Sequence, residues 1–158
     1  MRNTQGGSFE RRQRNARRHN ARVLAMQILY ESVVTGHSTA EILVRTSSQG
    51  GTPEETLAYA SELLTGIRAQ GSNIDAEIEE AAPDYLIEDI ALIDHAILQI
   101  AVFEVLFGDD VPPRAAVNEA VGIAGEFGGD SSSRFVNGVL GAVIDRRRPD
   151  SRRKRSQT

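Results

Sequence analysis

Three histidines, no cysteine and scattered carboxylates are the groups in this 158-residue chain that could carry catalysis or hold a metal. Their spacing supplies neither. His19, His37 and His95 each lack a second histidine at ligand spacing, and the absence of cysteine excludes thiolate metal sites and disulfides. His95 lies in an apolar stretch, where it reads as a satisfied core or interface residue. Glu79-Glu80 and Asp109-Asp110 fall at a helix end and in a loop, positions where acids are solvated. No phosphate-loop pattern, nucleophile elbow or dinucleotide fingerprint occurs. The expectation is a protein that is not an enzyme, with no cofactor and no metal.

What remains is charge placed for binding. Residues 1–22 hold seven arginines against Glu10, a net of +6. Residues 146–158 hold six arginines and Lys154 against Asp150, again +6, while residues 23–145 carry a net of −16. An acidic body with basic ends suits a polyanion bound at one place and repelled elsewhere. The other reading is that the ends are only disordered, solubilising tails. Arg17, Arg18 and Arg22 lie within two turns at the N-terminal end of a predicted helix, with Gln27 one turn further. Cations there oppose the helix dipole. An external anion would compensate them; a frayed, solvated first turn is the alternative.

The element that must position these residues is Ile90–Phe107, in which fourteen of eighteen residues are apolar or alanine. Asp94, His95, Gln99 and Glu104 interrupt it in separate directions, so no face is fully polar. Such a helix must be surrounded. A membrane span is disfavoured, because ionisable groups at mid-span are costly. Packing inside a helical globule is expected. Ahead of it, residues 1–13 read as a disordered basic tail. A helix is predicted from about Asn15 to Thr35, with Val23, Met26, Leu29, Tyr30, Val33 and Val34 at helical spacing and Gly36 as its stop. A capping box at Ser38–Glu41 opens a short helix to about Thr46, and a second at Thr52–Glu55 opens another. That helix carries Leu57, Ala60, Leu63, Leu64 and Ile67. Gly71 is expected to end or kink it, and Ser72 to recap a short continuation with Ile74 and Ile78.

Beyond the apolar stretch, Gly108 and Pro112-Pro113 break the chain. Pro113 starts a helix bearing Val117, Ala120, Val121, Ala124 and Phe127. After Gly128-Gly129, Asp130 or Ser131 caps a last helix bearing Phe135, Val139, Leu140, Val143 and Ile144. Asn137-Gly138 is a strong hairpin signal, but the helical spacing on both sides overrides it. Gly138 then permits close packing or the close approach of a ligand. The sum is an all-α chain of about seven helices with no strand. The polar, arginine-rich start has no secretory character, so the cytoplasm is the expected location.

Glu104, close to Ile93, Ile97 and Ile100, meets either an internal arginine or a basic residue of a partner; a partner surface is the hypothesis carried forward. Phe135 is spaced to pack with Val139 and Val143, and Asn137 to cap or to join a buried amide network.

Specific strings then carry a resemblance. ARRHNARVLAMQILYE (16–31), IAVFEVLF (100–107) and above all VPPRAAVNEAVGIAGEFG (111–128) followed by SRFVNGVL (133–140) resemble the NusB family of transcription antitermination factors. The last two match V-P-x-x-x-A-I/V-N-E-A-V-x-L-A-K-x-F-G and F-V-N-G-V-L almost throughout. Ile123 and Gly125 depart from that pattern, and His19-Asn20 interrupt the usual arginine run. The resemblance spans roughly residues 14–146, the expected helical RNA-binding domain, with 147–158 a second disordered basic tail. Residues 38–56 match only loosely. It implies two small three-helix groups around a long central helix. It also implies binding of boxA-type single-stranded RNA from ribosomal RNA leaders, jointly with the ribosomal small-subunit protein NusE, in an RNA polymerase complex that suppresses termination. Carried over, the RNA contacts are Arg17, Arg18, Arg22, Gln27, Arg134, Phe135 and Asn137, and the partner surface lies near Tyr30 and Glu104. Self-association into a homodimer stays open. The other function classes are a helical interaction adaptor with incidental basic tails, and a stand-alone relative of the RNA-binding domain of ribosomal RNA cytosine methyltransferases, for whose methyl-donor domain the chain leaves no room.

Overall fold

The structure, a computed structural model, describes residues 4–147. The basic segment 148–158 lies outside them. Six α-helices follow one another: α1 Thr4–Thr35, α2 Thr39–Gln49, α3 Glu54–Ala81, α4 Leu92–Phe107, α5 Pro113–Phe127 and α6 Ser132–Arg146. A 3-10 turn at Ile87–Asp89 precedes α4, and no strand occurs among the described residues. The chain divides into two compact units, one ending at Gly66 and one beginning at Ile67, with α3 contributing to each.

In the first unit, α1 buries Ala21, Ala25, Met26 and Ile28, which recur at one-turn spacing. Ile42 of α2 and Ala60, Leu63 and Leu64 of α3 are buried with them. The anticipated apolar face of α1 is only half right. Val33 and Val34 are exposed, because the buried stripe runs through 21, 25 and 28 and leaves the last turns uncovered. α1 also begins at Thr4 rather than near Asn15, so residues 4–13 are helical and not a disordered tail. Glu, Gln and Arg are good helix formers, and here propensity outweighs two glycines and the lack of anything to bury. Gly36 closes the helix at φ 78°, in the left-handed region that glycine enters most readily. Ser38 caps α2 as its spacing predicts, its hydroxyl accepting from the Glu41 amide at 3.2 Å. Pro53 stands at the start of α3, its carbonyl accepting the first helical bond from Leu57.

In the second unit, α3 runs unbroken through Gly71, against the expected break and short recapped helix; that continuation, counted as a seventh helix, is part of α3. A helical glycine costs about 1 kcal/mol relative to alanine. Buried Ile67, Ile74 and Ile78 share its stripe and outweigh that cost. The apolar helix α4 buries Ala96, Ile97, Leu98, Ile100, Ala101 and Val102, covering almost every azimuth. It packs against α5 and α6, which also pack on each other. His95 is satisfied by Asp75 of α3, Nε2 to Oδ1 at 2.9 Å. Arg146 pairs with Glu80, and Arg147 with Glu77 at 3.2 Å, tying the end of α6 to α3.

The α5–α6 turn is closed by Ser132, whose buried hydroxyl accepts from the Gly129 amide at 2.9 Å. A Cβ on Gly128 would stand 2.4 Å from that hydroxyl oxygen and 2.7 Å from the Ala124 carbonyl oxygen. Gly138, by contrast, is exposed in the middle of α6, and a Cβ there meets nothing within 4 Å, so close packing within the chain is not its role. Gly128→Ala should therefore destabilise by about 1–3 kcal/mol through overpacking. Gly138→Ala should stabilise by about 0.5–1 kcal/mol through backbone entropy. Urea unfolding followed by circular dichroism measures both, and opposite signs are the expected result.

Candidate nucleic-acid interface

α1 presents Arg14, Arg17 and Arg18 to residues 55–62 of α3. Arg14, Arg17 and Arg18 line a cavity of about 300 Å³ with Glu55, Ala58, Tyr59 and Glu62 of α3. The Arg18 guanidinium carbon stands 5.0 Å from the centre of the Tyr59 ring, within cation–π range. Arg17 is exposed and pairs with Glu55. An exposed pair of this kind contributes little to stability. It does hold the guanidinium at the mouth of the cleft. Gln27 is exposed on α1 and does not line this cavity.

Arg22 departs from the expectation. It is 5% exposed, with its guanidinium carbon 5.8 Å from the Tyr59 centroid. A cation so buried is held by interactions inside the protein and is not presented to a phosphate; Arg22 is not without such a partner. Glu104 is corrected in the same way. At 2% exposure on α4 it offers no carboxylate to a partner surface, and it too is engaged within the protein. Tyr30 remains available at 42% exposure, with exposed Val33 and Val34 beside it one turn on.

The second unit has its own cavity, of about 410 Å³. Arg134 and Phe135 of α6 line it, together with Tyr85 and Asp89 from the α3–α4 connection, Asp94 from the first turn of α4, and Ser131 at the start of α6. Tyr85 and Phe135 meet edge to face, their ring centres 5.0 Å apart at 65°. Phe135 is half-buried against this ring, so it packs and lines the cavity at once. Asn137 is exposed on α6 but outside the cavity. Neither a capping nor a buried-amide role fits an exposed position in mid-helix.

The sequence reading thus brought Arg17 with Arg18, and Arg134 with Phe135. It missed Arg14, Tyr59, Tyr85 and Asp94. Tyr59 lies off the apolar stripe of its helix, and Tyr85 lies in the connection that follows Pro83. A search for aromatics placed off a buried face would have found both.

Arginine and aromatic walls on an all-helical scaffold define a class of small helical proteins equipped for binding. Comparison with known proteins narrows that class. A family model described as the NusB family matches residues 19–145. The transcription antitermination protein NusB of Chloroflexus aggregans is 41% identical over 133 residues, covering 83% of this chain and 89% of the relative. That of Roseiflexus castenholzii is 39% identical, covering 85% and 96%. The chain belongs to the NusB family. Its fold also superposes on solved structures: NusB of T. maritima, with a TM-score of 0.73 at 24% identity over 81% of this chain and 90% of that one. A crystal structure of the antitermination factors NusB and NusE with double-stranded RNA also gives a TM-score of 0.73, at 22% identity over 82% and 97%.

The buried charges and the exposed ones should separate cleanly on mutation. Arg22→Ala and Glu104→Ala should each lower unfolding stability by about 3 kcal/mol, the scale for removing one member of a buried charged interaction. Arg17→Ala should stay within about 0.5 kcal/mol of the parent. Guanidinium titrations decide it; an unchanged midpoint for Glu104→Ala would return that residue to the surface.

Proposed function

We propose that the protein is a non-enzymatic cytoplasmic transcription antitermination factor. It binds boxA-type single-stranded RNA of ribosomal RNA leaders, jointly with NusE, and loads onto RNA polymerase to suppress termination. The observation that carries this reading is the cleft where Arg14, Arg17 and Arg18 surround Tyr59. Single-stranded RNA is held by a basic track for phosphates and by planar groups that stack on unpaired bases. The helical domain, residues 14–146, supplies both. Arg17 and Arg18 take phosphates, Gln27 extends the track, and Arg134, Phe135 and Asn137 contribute on the second unit. Arg22 acts by holding Tyr59 and Arg18 in place. The relatives' shared name supports the antitermination role.

The NusE surface is centred on Tyr30, with Val33 and Val34, whose exposed apolar side chains sit on one face at i, i+3 and i+4. Tyr30→Asp should weaken NusE binding without changing thermal stability. No helix among the described residues is long and apolar enough to cross a membrane, which agrees with a factor that works at the polymerase.

Fluorescence anisotropy with a boxA-like oligonucleotide, a scrambled one and a duplex tests the RNA reading at three salt concentrations. Affinity should fall linearly in log salt, by about 0.7 per phosphate contact on a single strand. Arg17→Ala should reduce that slope by under one unit and weaken both single strands equally. Glu55→Gln, which frees Arg17, should strengthen both on the order of a few-fold. Asn137→Ala should leave the slope alone and narrow the gap between the boxA-like and scrambled strands, because base contacts specify while phosphate contacts position. Absence of salt-dependent binding would leave a protein-interaction adaptor in its place.

A further inference from the structure

The cleft in the first unit has two unlike walls. Arg14, Arg17 and Arg18 of α1 form one; Glu55, Tyr59 and Glu62 of α3, at i, i+4 and i+7 on a single face, form the other. Arg17 and Glu55 neutralise each other in their ion pair. The Arg18 guanidinium carbon stands 5.0 Å from the centre of the Tyr59 ring. Glu62 is exposed, and among the described residues it forms neither an ion pair nor a hydrogen bond. An unpaired carboxylate in the wall of a phosphate-binding cleft repels the ligand's backbone, so affinity for phosphate does not account for it. Repulsion does account for it where there is a wrong ligand to exclude.

We propose that Glu62 is a specificity-determining residue that bars double-stranded RNA from this cleft. The inference rests on the RNA-binding reading above. A single strand turns freely about its backbone. It lays its phosphates along the arginine wall and turns a base toward Tyr59 and α3. The edge then facing Glu62 is uncharged, and a base amino group there donates to the carboxylate, which accepts only. A duplex has no such freedom. Its bases are paired inward, and its surface carries the phosphates of two strands. Seating one backbone against Arg14 and Arg18, in a cleft of about 300 Å³, leaves further phosphates to pass over the α3 wall. Like charges there lie within the Debye length, about 8 Å at physiological salt, and oppose each other. Glu55 does not share this duty, because Arg17 cancels its charge. The exclusion therefore falls to Glu62.

The test uses the full chain and one labelled twelve-nucleotide RNA, alone and annealed to its complement, in anisotropy titrations at low and physiological salt. The parent should bind the single strand tighter, and the preference should narrow as salt rises, because repulsion between exposed charges is screened. Glu62→Gln should bind the duplex about fivefold tighter than the parent does, the scale of one charge pair near a surface, and the single strand within about twofold of it. Glu62→Asp keeps the charge and should keep the preference. Glu126→Gln removes an exposed acid of α5 outside the cleft and should leave the preference unchanged. These positions are exposed, so the variants should fold as the parent does. Equal gains for both RNAs in Glu62→Gln, or the same change of preference in Glu126→Gln, would assign the effect to the net charge of the body and overturn the proposal. A preference lost in Glu62→Asp as fully as in Glu62→Gln would mark shape rather than charge, and would also overturn it. A parent that binds the duplex at least as tightly as the single strand would remove the exclusion and leave the RNA reading intact. No binding of either RNA would remove both.

Discussion

The second unit depends on the burial of α4. A sixteen-residue helix with apolar side chains on almost every azimuth has no stable existence in water. α5 and α6 must cover it, and their own sequences are constrained by that duty: each is amphipathic, and the turn between them is tight enough that Gly128 tolerates no Cβ. Every polar residue on α4 must then be satisfied individually. His95 is satisfied by Asp75, and Glu104 by its surroundings within the protein. Among the described residues, Asp94 keeps a buried oxygen without a partner, and it does so in the first turn, where the wall of the cavity passes. The position of the candidate site follows from where the covering helices leave α4 open.

Much of this was legible in the sequence because it is written locally. Ser38 caps its helix, Gly36 and Gly108 stop theirs, and Pro113 begins one, each for a reason confined to a few residues. The failures have two sources. Gly71 and residues 4–13 were read from single-residue costs, whereas the isoleucine stripe and summed helix propensity decided them. Arg22 was read by residue type, though it stands three and four residues before buried Ala25 and Met26. Glu104 was placed beside Ile93, Ile97 and Ile100, and of the two partners this left open the one on another protein was carried forward, whereas the carboxylate is buried.

The site was legible only as far as one helix reaches. Arg17 with Arg18, and Arg134 with Phe135, are neighbours along the chain. Tyr59 and Tyr85 enter from α3 and from the connection after it, and no local pattern pairs them with arginines thirty-seven or more positions away. Their presence changes the character of both clefts. A guanidinium stacked on a ring loses freedom before any ligand arrives, so less entropy remains to be lost on binding. Arg18 is prepared in this way, while Arg17 is held by charge alone.

The ion pair between Arg17 and Glu55 bears on which anions the first cleft accepts. A lone phosphate arriving there must displace a carboxylate of similar charge, and the exchange returns almost nothing. A polymer differs, since once one nucleotide is seated the next arrives at a high local concentration fixed by the strand itself. On the RNA reading proposed above, the internal carboxylate would discount free nucleotides and inorganic phosphate in favour of a continuous strand. Abundant small anions would occupy the cleft only weakly, and the protein would remain open to transcripts.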